Sequence, residues 1–207
     1  MCNLYRMTKS KAEVAEWFGA EDDLGGANFG AEVYPGYPGL VIAEGAVRQM
    51  HWGFPLALKG KGGQKLKPKP VNNTRSDKLD SFFWRDSFVR RRCLVPLTAW
   101  AEAEGAKGSK TRTWLSRPGS ELFAAAGIWR SSDEWGDCYS IVLTGSAGRA
   151  ADVHTRMPVL LAQEDYAEYL HGDPASARDL CIPWSDDIIL DRTDQPWSGG
   201  SAQRSLI

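Results

Sequence analysis

The sequence predicts one α+β domain whose core is a largely antiparallel, barrel-like β-sheet flanked by a few helices. Three observations support this fold class: many short apolar runs of strand length, few segments with helical periodicity, and no alternating β-α-β rhythm. A chain of 207 residues with 43% hydrophobic residues suits one domain with a sizeable core. We place this domain at residues 1–196 and expect a flexible, Gly/Ser/Gln-rich tail at 197–207.

The first predicted element is a short amphipathic helix. Ser10 and Glu13 form a capping-box pattern, apolar residues follow at helical spacing, and Gly19 provides a stop. Residues 20–39, which are rich in Gly, Pro and Asp, predict an ordered loop.

A β-hairpin and a lysine-rich run come next. Strands are predicted at 40–43 and 46–54, with a turn at Glu44-Gly45. The run 59–70 contains five lysines, no acidic residue, and enough Gly and Pro to argue against regular structure. We therefore predict a solvated loop there, whose lysines can also follow a phosphate backbone.

The second half of the chain continues the β-rich pattern. Asn73 and Arg75 precede an apolar helical pattern at 79–83, and backbone donors at a helix start can receive an anion. Two further helices are expected, one with Tyr166 and Tyr169 on one face and one beginning at Pro174. The remaining predicted strands lie at 93–96, 112–116, 121–128, 138–144 and 157–161.

Composition excludes several classes of protein. A net charge of −1 means that any anion-binding surface must be local. The chain has neither an apolar run of membrane-spanning length nor a signal-peptide pattern, so we expect a cytoplasmic, nucleoid-associated protein. We also expect a monomer. The four cysteines are dispersed and the three histidines are unpaired, which predicts no metal site and no cofactor.

The first two residues, Met1-Cys2, carry the most distinctive chemistry. If Met1 is removed, Cys2 presents a free α-amine beside its thiol, a 1,2-aminothiol. The amine condenses with an aldehyde to a Schiff base, and the sulfur then closes a five-membered thiazolidine. The alternative is an ordinary thiol on a frayed terminus.

Four motifs occur together in order, and in this arrangement the chain resembles the SRAP family (SOS response-associated peptidase). The motifs are Met1-Cys2, Asn73-Thr74-Arg75, Cys93-Leu94-Val95-Pro96 followed by Glu102, and His154-Thr155-Arg156-Met157-Pro158. The resemblance implies a positively charged cleft for single-stranded DNA and covalent capture of abasic sites as a thiazolidine. Many members begin Met-Cys-Gly-Arg, so this chain lacks the arginine after the nucleophile unless Arg6 replaces it.

The resemblance implies a set of catalytic residues and a set of DNA-binding residues. The catalytic set is Cys2, Asn73, Glu102 and His154; Arg75, Arg156 and Trp52 match DNA contacts, to which we add Arg6, Lys67 and Lys69.

Each of these residue types suits its implied role. Histidine exchanges protons near neutral pH and can open the closed abasic sugar. Glu102 can shuttle protons during Schiff-base formation if burial raises its pKa, and the Asn73 amide can hold the α-amine. Arginine binds phosphate in bidentate fashion, and a tryptophan stacked on a base contributes roughly 1–3 kcal/mol.

Two alternatives of other classes stay open. An N-terminal cysteine can act as the nucleophile of a peptidase or amidohydrolase, with the α-amine as base. The lysines and tryptophans could instead form a non-covalent module that binds single-stranded DNA.

Overall fold

Short β-strands make up most of the computed structural model, which describes residues 2–22 and 30–197. The strands are β1 Tyr5–Arg6, β2 Glu21–Asp22, β3 Glu32–Val33, β4 Pro38–Ala43, β5 Ala46–Trp52, β6 Phe54–Lys59, β7 Lys65–Val71, β8 Asn73–Arg75, β9 Arg92–Leu97, β10 Ala99–Glu104, β11 Thr111–Ser116, β12 Phe123–Ser132, β13 Gly136–Gly145, β14 Arg156–Pro158, β15 Leu160–Leu161 and β16 Ile189–Pro196. The helices are α1 Lys11–Phe18, α2 Arg85–Arg90, α3 Tyr166–His171 and α4 Pro174–Asp179, with 3₁₀ turns at Ser76–Lys78, Gly148–Asp152 and Gln163–Asp165.

Five of these strands close into a barrel. Strands β13, β12, β9, β4 and β5 are antiparallel neighbours in that order. Strand β5 then pairs in parallel with β13, through His51 opposite Cys138 and Trp52 opposite Tyr139, which closes the ring. Both the α+β class and the barrel-like, largely antiparallel core are therefore confirmed.

A second sheet packs against this barrel in the order β16-β11-β10-β1-β3. Tyr5 and Trp100 are paired across β1 and β10 and are fully buried on the same face. Trp100 meets Phe123 of β12 edge-on, with ring centroids 6.4 Å apart. The face that carries Trp100 therefore forms part of the main core, and Glu102 lies on it two residues along the strand.

The local turn and capping predictions hold. Ser10 Oγ accepts a hydrogen bond from the Glu13 backbone N–H, and the Glu13 carboxylate accepts one from the Ser10 N–H. Helix α1 ends at Gly19 in the left-handed region, where glycine is unstrained. The hairpin between β4 and β5 turns at Glu44 and Gly45, both with positive φ.

The prediction of an irregular lysine loop was wrong. Strands β6 and β7 form a two-stranded antiparallel hairpin, closed by the Gly60 N–H donating to the Gln64 carbonyl at 2.8 Å. Its prolines are tolerated because each strand of a two-stranded ribbon has an outer edge that needs no hydrogen bond. We call residues 54–71 the lysine hairpin; its five lysines are Lys59, Lys61, Lys65, Lys67 and Lys69.

Two other predictions need correction. The expected helix after Arg75 is only the 3₁₀ turn Ser76–Lys78, so no helix N-terminus lies there to receive an anion. Strand β16 was not predicted, because it is exposed and largely polar.

At the start of the expected flexible tail, the Trp197 N–H donates to the Lys110 carbonyl at 2.8 Å, and residues 198–207 lie outside the described ranges. Among the helices described, none has the length and apolar character needed to cross a membrane.

Candidate active site

Cys2 lies in the core immediately before β1, with only 1% of its surface exposed. Its Sγ donates to the Leu4 carbonyl at a long 3.8 Å. Burial raises the pKa of the thiol far above its usual range, and the nearby Glu102 carboxylate raises it further. The alternative of a thiol on a frayed terminus is therefore wrong, because Cys2 is packed into the fold.

Two consecutive asparagines hold the main chain of Cys2. Asn73 Nδ2 donates to the Cys2 carbonyl oxygen at 2.6 Å, and Asn72 Nδ2 donates to the same oxygen at 3.1 Å. Strand β8 fixes Asn73 by pairing in parallel with β13 at Ile141. The Asn73 Oδ1 atom is buried and accepts no hydrogen bond from the described residues, so it remains available as an acceptor.

Glu102 is a buried acid on the face of β10 that carries Trp100, with 2% of its surface exposed. Burial raises the pKa of its carboxyl, and the positive charges of His154 and Lys110 nearby oppose part of that rise. A carboxyl in this environment retains its proton closer to neutral pH than an exposed glutamate does. It can therefore both donate and accept a proton.

His154 lies between the 3₁₀ turn Gly148–Asp152 and β14. Its Nδ1 atom is 3.0 Å from the backbone nitrogen of Arg156 and 3.1 Å from the Arg156 carbonyl oxygen. In the neutral ring Nδ1 accepts from the Arg156 N–H, and in the protonated ring it donates to the carbonyl. One residue's backbone thus offers a partner to both charge states of His154.

The structure brings the four predicted catalytic residues into one place. Asn73 touches Cys2 directly, the Glu102 charge acts on the Cys2 thiol, and His154 acts on Glu102. We call these four residues the Cys2 corner. Within the described ranges, no group of three or more His, Cys, Asp or Glu side chains is arranged to hold a metal ion.

Two predicted DNA contacts share a face with Asn73. Along β13, Ile141, Leu143 and Gly145 point to one side because they are two residues apart. Their partners in the neighbouring strands are Asn73, Arg75 and Arg156 respectively. The arginines therefore extend from the same side of the sheet as Asn73. Arg75 is about half exposed and forms an ion pair with Asp77, in which Arg75 Nε donates to Asp77 Oδ1 at 2.7 Å.

The family model described as SOS response associated peptidase (SRAP) matches residues 1–191. The chain belongs to the SRAP family. Two curated relatives are abasic site processing proteins of Bacillus subtilis (strain 168): YoqW is 28% identical over 150 residues, and YoaM is 27% identical over 150 residues. Each match covers 67% of this chain but only 65% and 64% of the relatives' own lengths, just under two thirds.

Solved structures share the SRAP fold seen here. An X-ray structure of a Bacteroides thetaiotaomicron protein has a TM-score of 0.75 at 20% identity, covering 93% of each chain. A Bordetella bronchiseptica protein has a TM-score of 0.75 at 21% identity, covering 93% of this chain and 99% of its own. At such low identity these likenesses establish the fold alone.

The SRAP-based role of Trp52 as a base-stacking residue was wrong. Its side chain is fully buried, packed edge-on against Tyr5 and stacked with Tyr139. Its Nε1 donates to the Asn72 carbonyl at 2.8 Å. Trp52 therefore supports Asn72 from within the core of this SRAP domain. Both faces of its ring are buried, so neither can stack on a base.

Of the two alternatives for the family arginine, that it is missing or that Arg6 replaces it, the structure favours the first. Arg6 is paired with Ala99 of β10, whose side chain points to the face opposite that of Glu102. The Arg6 side chain therefore extends from that opposite face of the sheet. Its guanidinium contacts Glu32 at 3.2 Å and lies 3.6 Å from the centre of the Trp114 ring. The residue directly after Cys2 is Asn3, whose Oδ1 accepts from Asn72 at 3.1 Å.

Lys67 and Lys69 are exposed on β7 of the lysine hairpin. The hairpin begins next to Trp52 and ends next to Asn72, so it projects directly from the segment that supports the Cys2 corner. Sequence reasoning missed Asn72, although the doublet Asn72-Asn73 in front of Arg75 was a usable signal.

Proposed function

We propose that this SRAP domain processes abasic sites in single-stranded DNA by bonding Cys2 covalently to the sugar aldehyde, after removal of Met1. The observation that supports it is the grouping of Cys2, Asn73, Glu102 and His154 in one corner of the fold. The two Bacillus relatives are named abasic site processing proteins, which agrees with this substrate.

The proposed chemistry needs no oxidant and no cofactor. The α-amine of Cys2 adds to C1′ of the open sugar to give a carbinolamine, which loses water to form a Schiff base. The thiol then adds to the imine carbon, its sulfur forming the new C–S bond while a proton goes to nitrogen. Aminothiol and aldehyde thus give a thiazolidine and one water molecule.

The residues of the Cys2 corner suit these proton transfers. A Glu102 carboxyl that retains its proton can give it to the departing hydroxyl, and the resulting carboxylate can then accept the thiol proton. That second step matters because burial holds the Cys2 thiol in its protonated form. The vacant acceptor Asn73 Oδ1 suits a hydrogen bond from the α-amine.

His154 is proposed to open the closed sugar by moving a proton at the ring oxygen. The Arg156 backbone offers a hydrogen-bond partner to the ring in either charge state. The ring can therefore give up and regain its proton without losing its position, which a general acid-base group needs.

DNA binding is proposed to use two surfaces. Arg75 and Arg156, on the face that carries Asn73, suit bidentate binding of phosphates beside the abasic sugar. Lys67 and Lys69 would follow the backbone farther along, with an affinity that falls as salt rises.

Two related activities belong to the same proposal. A Schiff base at C1′ permits β-elimination of the 3′ phosphate, so lyase turnover would compete with ring closure. The family description as a peptidase keeps hydrolysis by Cys2, including self-cleavage that exposes it, as the second candidate.

The test is an intact mass of the purified protein before and after incubation with a single-stranded oligonucleotide that carries one abasic site. We expect loss of Met1 and a stoichiometric, heat-stable adduct that Cys2→Ala cannot form, although that variant still binds the DNA. An unchanged adduct in Cys2→Ala would refute the proposal. Absence of any adduct from wild-type protein without Met1, with cleavage of a peptide substrate, would favour the hydrolase.

A further inference from the structure

Asn72 connects the rigid core to the start of the chain. Its backbone carbonyl accepts from Trp52 Nε1 at 2.8 Å and from the Ile141 N–H at 3.0 Å. Its side-chain Nδ2 donates to the Cys2 carbonyl and to Asn3 Oδ1, each at 3.1 Å. Because both acceptors are oxygens that only accept, the amide nitrogen must face them, and both of its hydrogens are in use.

The contact to Cys2 matters most once Met1 has been removed. A terminal residue is then bonded to the chain on one side only, and such residues are ordered only where other contacts fix them. The Cys2 carbonyl receives two donors, Asn72 Nδ2 and Asn73 Nδ2, which together occupy both of its lone pairs. Two bonds to one carbonyl fix the peptide plane that follows the Cys2 Cα. The buried thiol, whose Sγ donates to the Leu4 carbonyl, limits rotation about the Cα–C bond, and together these contacts set the directions of the amine and the thiol.

We infer that Asn72 is a positioning residue, which holds Cys2 so that its amine and thiol both face the other members of the Cys2 corner. This inference rests on the proposed function, since it concerns the rate at which the Cys2 adduct forms. Because the amide hydrogens of Asn72 are already committed to Cys2 and Asn3, the residue has none to give to DNA. Its loss should therefore slow the chemistry without weakening DNA binding.

The experiment measures adduct formation as a function of DNA concentration in single turnover, which separates the rate at saturation from the half-saturating concentration. Asn72→Asp keeps the shape of the side chain but turns oxygen atoms towards the two acceptors, so both bonds are lost. We expect the saturating rate to fall roughly 10–100-fold, as for a misplaced reacting group. The half-saturating concentration should stay at the wild-type value in Asn72→Ser, which adds no charge, whereas the added carboxylate of Asn72→Asp can raise it by repelling phosphate.

Two variants separate the bond to Cys2 from its surroundings. Asn3→Ala removes only the second acceptor of Asn72 and should keep a saturating rate close to that of the wild type. Trp52→Phe removes the donor that fixes the Asn72 carbonyl and should give an intermediate rate.

Asn72→Ser, which is smaller and uncharged, is measured beside Asn72→Asp, and the thermal unfolding of each variant is recorded. If Asn72→Asp does not fold, Asn72→Ser still provides the comparison with the wild type.

The outcomes distinguish this inference from the proposed function. If wild-type protein forms no adduct, the proposed function fails. If wild-type protein forms the adduct and a folded Asn72 variant reaches the same saturating rate, the positioning role is refuted while the function stands. A raised half-saturating concentration at an unchanged saturating rate would also overturn it, because Asn72 would then act on DNA binding.

Discussion

The Cys2 corner and the lysine hairpin adjoin each other but follow opposite physical rules. In the corner, Cys2 and Glu102 are 1% and 2% exposed, and burial shifts the pKa of both side chains upwards. In the hairpin, the lysines are exposed to solvent. Buried groups depend on exact placement, whereas exposed charges act almost additively and are screened by salt. The two regions should therefore control different quantities: the rate of reaction and the affinity for DNA.

Gly53 fixes the orientation of the hairpin relative to the corner. Its φ of 126° lies in a region that favours glycine, and a Cβ there would approach Pro70 Cβ to 2.5 Å. The base of the hairpin is thus packed tightly beside Trp52 and Asn72. Because of this contact, the exposed charges of the hairpin begin at a fixed position beside the buried Cys2 corner.

The largest effect expected from the comparison is that of Glu102→Gln on the rate. The amide keeps the shape of the carboxyl but cannot transfer a proton, so we expect adduct formation at saturating DNA to slow by about 10²–10⁴-fold. Binding of an intact single strand should not change. Single-turnover kinetics and fluorescence anisotropy measure the two quantities separately.

A matched control uses Glu104, the next acid on the same face of β10, which is partly exposed and bonded to Thr113 and Arg192. Glu104→Gln should leave the adduct rate near that of wild type. Equal losses from both variants would show that general disturbance of β10, rather than proton transfer at Glu102, sets the rate.

The second prediction concerns Lys67→Gln/Lys69→Gln in the hairpin. Each lysine that neutralises a phosphate of a single strand adds about 0.7 to the slope of log affinity against log salt, so the slope should fall by roughly 1.4. Affinity at low salt should fall severalfold, and the saturating adduct rate should not change. Binding titrations at several salt concentrations measure the slope.

The same change of charge at Lys9 and Lys11 provides the comparison. These lysines lie at the start of α1, outside the hairpin, and they pair with Glu121 and Asp22. Lys9→Gln/Lys11→Gln should leave the salt slope unaltered. If both double variants lower it equally, the hairpin is not a distinct DNA contact and the contrast with the corner fails.

The sequence allowed the local part of this division to be predicted, but not the long-range part. The capping box of α1 and the turn at Glu44-Gly45 depend on neighbouring residues. The burial of Trp52 depends on Tyr5 and Tyr139, which are distant in sequence. It could therefore not be predicted from the strand that contains Trp52.

Register explains the other misses. Strand β1 is two residues long, and a shift of one residue would exchange the faces of Tyr5 and Arg6, so only the observed pairing decides that Arg6 points away. In the hairpin, Pro68 and Pro70 argued against a strand, yet they sit in a ribbon with an unpaired edge.

The third prediction concerns the stability cost of the buried carboxyl. Burial raises the folded-state pKa of Glu102 above its unfolded value of about 4.3, so the unfolded state releases the proton first as pH rises. The Glu102 contribution to stability therefore falls from the unfolded pKa up to the folded pKa. Glu102→Gln should therefore raise the unfolding temperature at pH 8, with a smaller gain at pH 5; in a chain of this size each kcal/mol of stability corresponds to about 2–4 °C.

Thermal melts of both proteins at pH 5 and pH 8 test this prediction. A gain that is larger at pH 5 would have the wrong sign and would show that the carboxylate, not the acid, is favoured in the folded state. The change in unfolding temperature caused by Lys67→Gln/Lys69→Gln should be the same at both pH values, because the replaced lysines lie in solvent.

The smallest effect is expected at Arg75, which stands between the two regions. It lies on the face of Asn73 but is 46% exposed and paired with Asp77, whose pKa it lowers. A DNA phosphate must compete with that carboxylate for the guanidinium. Asp77→Asn removes the competitor and a repelling charge, so single-stranded DNA should bind about two- to threefold tighter at low salt, with no change in the saturating adduct rate.

Asp86→Asn is the matched control, since Asp86 pairs with Arg90 and Arg91 at the surface of α2. If that variant tightens binding as much, the gain reflects net charge alone. If Asp77→Asn weakens binding instead, the carboxylate must hold the guanidinium in its phosphate-binding orientation. The effect of Arg75 would then depend on its exact position, as that of the Cys2 corner does. Arg75 would belong with the corner rather than with the exposed charges of the lysine hairpin.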